Sequence, residues 1–245
     1  MAQGAYIGVN GVARKITGGY VGVNDKARKI IKAYIGIGGV ARPCWSVNKE
    51  LTYYGTITSL STARSKLAAT SVGNYALFGG GQTDSTTSSA TVDAYDTSLT
   101  RSTPTSLFNA RYGLTATSVG DYAIFFGGVS GGSLAAATID YYDKSLTRTT
   151  PTPLLYIDTL GGAATTLGDY AMFGGGDLSV DGIIPFVFCF DKSLTRKYFT
   201  TSEEGALSVA RYNLAATTVG NYAIFAGGQT DESNYSAVAE AYTVK

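Results

Sequence analysis

Gly73-Asn74-Tyr75-Ala76-Leu77-Phe78-Gly79-Gly80-Gly81 decides the fold, because it occurs four times. It returns as Gly120-Asp121-Tyr122-Ala123-Ile124-Phe125-Phe126-Gly127-Gly128, then as Gly168 to Gly176 with Met172 at the variable apolar position, and finally as Gly220 to Gly228, reading GNYAIFAGG. The copies begin at 73, 120, 168 and 220, spacings of 47, 48 and 52 residues. A fixed period of about 50 residues points to a propeller or a solenoid.

Each copy follows an apolar run such as Leu67-Ala68-Ala69-Thr70-Ser71-Val72. Two β-prone runs joined by Gly-Asn or Gly-Asp read as a hairpin, with the glycine at the positive-φ position of a type II′ turn. The closing glycines end the second strand and let backbones approach. A loop that differs in every copy leads to a third run, as in Ala90 to Asp96, Thr138 to Asp143 and Phe186 to Asp191. A short turn and Leu-Thr-Arg then open a fourth strand, expected to end near Leu107 or Leu154. Pro104 and Pro151 in that run suit an outer edge, where a missing N–H costs nothing. Four strands with the last on an edge describe one propeller blade.

An arginine-led strand, a hairpin, a strand ending in Gly-Gly and a third strand carrying Tyr-Asp resemble the kelch repeat over residues 51–245. Kelch repeats usually carry a tryptophan shortly after the Tyr-Asp pair. Here Arg101, Arg148 and Arg196 hold that region and the single tryptophan, Trp45, lies outside the repeats. The resemblance implies an all-β, kelch-like propeller of four blades of four strands. Leu51 to Leu60 matches the fourth-strand run Leu99 to Leu107, and the chain stops after a third strand at Ala237 to Tyr242. Pairing these two ends is expected to close the ring and remove an exposed edge. Two chains sharing eight blades are the alternative. Small residues in the innermost strands, such as Ala163-Ala164-Thr165-Thr166, suit the tighter four-blade centre.

Residues 1–46 form a different system. Ala5 to Ile16 recurs as Gly19 to Ile30 and, more weakly, as Ala33 to Cys44, a 14-residue period of strand, Asn-Gly or equivalent, strand. Three such hairpins need neighbours to be stable. This segment holds seven basic residues against Asp25, a net +6, while the remainder holds 12 basic and 17 acidic, a net −5. Such asymmetry suggests separate partners for the two parts. The basic residues read best as protection of strand edges. No helical or aromatic-interleaved basic motif points to nucleic acid. The tandem Tyr-(Ile/Val)-Gly-Val-Asn units resemble N-terminal segments of phage and prophage tail-associated structural proteins of Gram-positive bacteria. That resemblance implies attachment to a virion, or self-assembly, through 1–46, with 47–50 as a linker and 51–245 displayed.

Hydrophobic residues at 44% supply a core, and charge at only 15% with 31 glycines and 18 tyrosines fits an all-β protein exposed outside a cell or on a particle. No signal peptide opens the chain and no run approaches a membrane span. The expected location is a virion, or the extracellular space after lysis, with the cytoplasm as alternative. Cys44 and Cys189 are too far apart to suggest a disulfide framework. Cys189 in an apolar strand reads as a buried, inert thiol.

The chain has no histidine, which excludes Ser-His-Asp and Cys-His catalysis and His-ligated metal sites. No phosphate loop is present. Gly127-Gly128 and Gly131-Gly132 open no helix. Asp177 with Asp181, and Asp231 with Glu232, read as solvated loop charges rather than an acid–base pair. Asp177 to Asp181 also lacks the oxygen-ligand pattern of a calcium loop. No enzyme, cofactor or metal is expected.

Two candidate binding surfaces remain. One is the variable loop between the second and third strands, Gln82 to Ser89, Val129 to Ala136, Asp177 to Ile184 and Gln229 to Tyr235. A fixed scaffold with variable loops is how binding surfaces are built. Gln82, Asp84, Gln229, Asp231 and Tyr235 carry the polar and aromatic groups there. The other is Arg64, Arg111 and Arg211, each nine residues before the hairpin glycine, with Thr159 in the third copy. At a channel mouth three guanidinium groups would attract anions; the alternative is that each bonds backbone carbonyls between blades. The expected function is a non-enzymatic, homo-oligomeric display protein whose propeller recognises a host-surface glycan or protein. An intracellular kelch-type interaction adaptor is the alternative.

Overall fold

The computed structural model gives strands at 6–9, 12–15, 19–23, 26–30, 32–37 and 40–46, and beyond them describes residues 51, 53–130, 138–151, 159–178 and 182–244. Among the described residues every regular element is a β-strand. The chain divides into two compact units, Met1–Thr56 and Ile57–Lys245.

The first unit holds three antiparallel hairpins. β1 (Tyr6–Val9) pairs with β2 (Val12–Lys15), β3 (Gly19–Val23) with β4 (Lys26–Ile30), and β5 (Lys32–Ile37) with β6 (Val40–Ser46). Val9 lies opposite Val12, Val23 opposite Lys26 and Ile37 opposite Val40, so two residues join each pair. Those connecting residues and the expected linker 47–50 lie outside the described residues. Pro43 opposes Tyr34 on β6. Both strands of a lone hairpin are edges, so the proline can sit there without breaking a central ladder.

The second unit holds four small antiparallel sheets in sequence. Sheet I is β7 (Ala68–Val72), β8 (Tyr75–Gly79), β9 (Val92–Tyr95) and β10 (Arg101–Ser102). Sheet II is β11 (Thr115–Val119), β12 (Tyr122–Phe126), β13 (Ile139–Asp143) and β14 (Arg148–Thr149). Sheet III is β15 (Ala163–Leu167), β16 (Tyr170–Gly174), β17 (Val187–Asp191) and β18 (Arg196–Phe199). Sheet IV has three strands, β19 (Ala215–Val219), β20 (Tyr222–Ala226) and β21 (Ala239–Thr243). The first strands β7, β11, β15 and β19 pack one on the next. The arrangement is consistent with propeller-like blades.

Local chemistry sets these elements. The hairpin glycines Gly73, Gly120, Gly168 and Gly220 have φ of +54° to +56°, and the following Asx does not have positive φ, as a type II′ turn requires. The next turn is capped by an aspartate: Asp96 Oδ1 accepts from Ser98 and Thr100 N–H, and Asp143 and Asp191 repeat the pattern. Leu99, Leu146 and Leu194 follow at φ of 61° to 63°, a left-handed conformation that costs a leucine about 1–2 kcal/mol. Leu146 and Leu194 also pack against the apolar clusters, which helps hold that conformation.

Two sequence expectations are corrected. The fourth strand does not reach Leu107: β10 and β14 are two residues long and end before Pro104 and Pro151. A proline has no N–H to donate and restricts the residue before it. Sheet III has no proline there, and β18 runs for four residues. The expected closing pair is also missing. Residues 53–60 belong to no strand, β21 is the edge of its sheet, and among the described residues no closed ring is detected.

The core lies at the three junctions. Val72, Leu77 and Val92 meet Leu107, Phe125 and Tyr142 between sheets I and II. Ile124, Phe126 and Ile139 meet Phe173, Phe188 and Phe190 between II and III, with Phe126 stacked on Phe173 at 4.7 Å. Leu167, Met172 and Val187 meet Leu207, Leu214 and Phe225 between III and IV. Each fully buried apolar side chain contributes about 1.5–3 kcal/mol. Gly79 and Gly174 make room for an aromatic ring: a Cβ there would lie 2.7 Å from Phe125 and 2.8 Å from Phe225.

Candidate functional site

The arginines do not form a ligand-binding channel mouth. The side chain of each is at most 1% exposed. Arg64 donates from Nε to Gly80 O (2.9 Å) and from Nη2 to Phe78 O (3.0 Å), and its Nη1 pairs with Asp93 Oδ2 at 2.8 Å. Arg111 reaches Phe125 O and pairs with Asp140 Oδ2 at 2.8 Å. Arg211 donates to Val238 O (2.9 Å), reaches Phe225 O and pairs with Glu240. Each guanidinium therefore ties the end of the second strand to the third strand of its own sheet. Arg64 and Arg111 also donate to carbonyls two residues before themselves, those of Thr62 and Asn109. A fork of five donors suits this cross-link, and none of its surface is left for an anion.

The buried acid is the residue that sequence reasoning missed. Asp93, Asp140 and Glu240 each lie 29 residues after their arginine. Each also accepts from a backbone N–H three residues before that arginine, Ser61, Phe108 and Ser208. Arg101 and Arg148 approach the same acids at 3.8 and 3.6 Å. Arg148 also lies over the Phe108 ring at 5.7 Å, a cation–π contact. The tyrosine two residues after the acid closes the system: Tyr95 Oη donates to Thr58 O (2.8 Å) and Tyr142 Oη to Thr105 O (2.7 Å). Burial, and then the charge of Asp140, raise the Tyr142 hydroxyl far above its ordinary value. The phenol therefore stays a donor.

Sheet III lacks the arginine, the acid and the tyrosine, although Arg196 keeps the place of Arg101 and Arg148. Thr159 replaces the arginine, Phe188 the acid and Phe190 the tyrosine. Thr159 is buried, and Phe188 and Phe190 join the apolar cluster between II and III. Removing both charges together avoids leaving either one buried alone, which costs several kcal/mol.

The variable loops of sheets I and IV place residues 83–87 and 231–235 at the surface. In sheet I, Gln82 is buried and its backbone pairs with Ser65 in both directions. Asp84 Oδ1 accepts from Thr86 N–H (2.8 Å), Thr86 Oγ1 (3.0 Å) and Thr87 N–H (2.7 Å). Those hydrogen bonds, Thr86's first, lower its carboxyl to about 2. Sheet IV repeats the design. Gln229 pairs with Tyr212 through the backbone and accepts from Asn213 Nδ2 at 2.9 Å. Asp231 accepts from Ser233 N–H, Asn234 N–H and Asn234 Nδ2, each at 2.8 Å, which holds its carboxyl below the ordinary range. Asp84 and Asp231 thus shape their loops, leaving Thr83, Thr86 and Tyr235 exposed, the last by 77%. Residues 131–137 and 179–181, including most of the sheet II loop and Asp181, lie outside the described residues.

This surface offers hydroxyls, amides and one aromatic ring, the chemistry that reads a sugar or a polar peptide. Among the described residues no group of His, Cys, Asp and Glu could hold a metal ion. A cavity of about 300 Å³ lies elsewhere, at the outer part of sheets III and IV, lined by Leu167, Tyr170, Met172, Cys189, Phe199 and Tyr242. Burial pushes the Cys189 thiol up to about 11, far from a reactive thiolate. A scan against protein-family models finds no match for the chain, and a search of curated proteins finds none either.

Proposed function

We propose that the chain is a non-enzymatic display protein of a phage virion, with a kelch-like propeller that recognises a host-surface glycan or protein through the loops between second and third strands. The observation that supports this reading is the contrast within each sheet. The frame is rebuilt with the same hairpin in all four sheets, while the loop after the second strand changes. The loops of sheets I and IV share the Gln-Thr-Asp start and are preorganised by their own aspartates. Preorganised polar loops beside an exposed tyrosine lose little entropy on binding. The basic hairpins of the first unit attach the chain to the particle or to each other.

The test replaces 83–87 and 230–235 with Gly-Ser turns and measures binding to immobilised glycans and to cell-wall polysaccharide of Gram-positive bacteria. A loss of about tenfold or more in affinity, equivalent to one or two lost hydrogen bonds, is expected with the melting temperature unchanged. Binding retained by the loop-replaced chain would remove the loops as the recognition surface.

A further inference from the structure

Among the described residues of the second unit, two sides of the sheet array carry no further sheet, the outer side of sheet IV and the opposite side of sheet I. Val219 is 61% exposed, while its equivalents Val72, Val119 and Leu167 are 3, 2 and 5% exposed. Ala239 is exposed where Val92, Ile139 and Val187 are buried. On sheet I, Ala76 is exposed and Phe78 half-buried, where Ala123, Ala171 and Ala223, and Phe125 and Phe173, are buried.

The backbone repeats the pattern. At each internal junction a glycine N–H donates to a carbonyl ahead of the next sheet: Gly81 to Arg111 (2.8 Å), Gly128 to Thr159 (2.9 Å) and Gly176 to Arg211 (2.9 Å). A leucine N–H returns the bond, Leu107 to Ala90 O and Leu207 to Pro185 O, both at 2.8 Å. Sheet IV presents Gly228 N–H and the Ala237 carbonyl at these registers, and sheet I presents the Arg64 carbonyl and Leu60 N–H. Among the described residues none of the four is bonded across a junction. A Cβ on Gly80 or Gly175 would meet a carbonyl oxygen at 2.7 or 2.5 Å, but on Gly227 it would meet only Ser236 O, at 4.0 Å.

We propose that the outer side of sheet IV takes sheet I of a second copy of this chain, so that two chains close one ring of eight sheets through two equal junctions. The two bare sides are complementary, register for register, in the manner of the three junctions already formed. Within one chain they lie apart, and bringing them together would require repacking three apolar junctions. Unlike surfaces that fit each other make a heterologous contact, which closes into a ring when the rotation allows. The new junction carries Ala226 at the register of Gly79, Phe126 and Gly174, a position that meets a phenylalanine in every internal junction, and Phe78 is the unused one. It also sets the matching loops Gln82 to Ser89 and Gln229 to Tyr235 side by side.

Light scattering or sedimentation of the full chain tests this, with Ala76→Arg and Val219→Asp as variants at exposed positions. The parent is expected at twice the chain mass, and each variant alone at the chain mass, because each alters both junctions of its own pair. An equal mixture of the two variants is expected to recover the double mass, since a mixed pair keeps one unaltered junction. A monomeric parent overturns the proposal in favour of closure within the chain or of another partner. Association that both variants retain places the contact elsewhere, on the hairpins of the first unit, and overturns it equally. So does a mixture that stays monomeric, or growth into open polymers.

Discussion

Sheets II and III solve the same problem in opposite ways. Sheet II joins its second and third strands through a buried Arg111–Asp140 pair, with Arg148 and Tyr142 around it. Sheet III puts Thr159, Phe188 and Phe190 at those places and relies on aromatic packing. The ion pair is thus not what makes the sheet possible. It is one of two self-consistent fillings of the same site, and the harm lies in mixing them. A buried pair is weak evidence of net stabilisation, yet breaking one is costly.

The largest expected effect comes from breaking the pair on one side. Asp140→Ala leaves the Arg111 guanidinium buried without its carboxylate and removes the acceptor of Phe108 N–H. A loss of about 3–5 kcal/mol is expected, a fall in melting temperature on the order of ten degrees for a unit of this size. A change within one degree would show that the pair is solvated in solution. The next experiment converts sheet II into sheet III. Arg111→Thr with Asp140→Phe should lose less than the sum of the two single changes, by about 1.5 kcal/mol or more in chemical denaturation. Strict additivity would mean that the two sites are independent.

A smaller difference is expected from Tyr142→Phe, which copies Phe190. It removes the bond to Thr105 O and should cost about 1 kcal/mol, read as a shift in the denaturation midpoint. The matching change Phe190→Tyr should not stabilise sheet III, because Phe190 is buried in the apolar cluster between sheets II and III, where a hydroxyl is costly.

The smallest effect is confined to a loop. Asp84 has its carboxyl lowered in the folded chain to about 2 from an ordinary 3.8. A depressed pKa contributes order that is complete above the ordinary value and is lost as pH falls through the lowered one. The protection of the Thr86 and Thr87 amides, their exchange rate relative to the unprotected rate at the same pH, is therefore expected to persist at pH 4 and to fall towards pH 2, with the sheets intact. Protection already lost at pH 4 would contradict the hydrogen-bonded turn.

Much of the frame was legible because it is local. The Gly-Asx pair dictates a hairpin within four residues, and the period of the block dictates four sheets. The arginines were legible as a set, and bonding to backbone carbonyls was one of the two roles open to them, but their acidic partners were not legible. Their partners lie on a strand 29 residues away, and only folding shows that Asp93, Asp140 and Glu240 face inward. The joint loss of Arg and acid in the third copy, at that same spacing, was the available signal. The shortening of β10 and β14 follows from Pro104 and Pro151, which do not merely suit an edge but end the strand before them. Closure was not legible at all, because it depends on how three junction geometries add up, and no single residue encodes that sum.

The phenylalanine that sheet II places at its outer register has a genetic consequence. Gly79 and Gly174 each lie beneath a ring of the next sheet, whereas Phe126 stacks on Phe173 instead. Repeats this alike in sequence invite unequal crossing-over, and the products are not equivalent. Deleting sheet II would set Gly79 against Phe173, the glycine–phenylalanine pairing of the first and third junctions. Deleting sheet III would set Phe126 against Phe225, the phenylalanine–phenylalanine pairing of the middle junction, on a ring that now packs over Gly174. The residue at this register therefore travels with its own sheet, and the kind of junction a shortened array forms is set by which copy is lost.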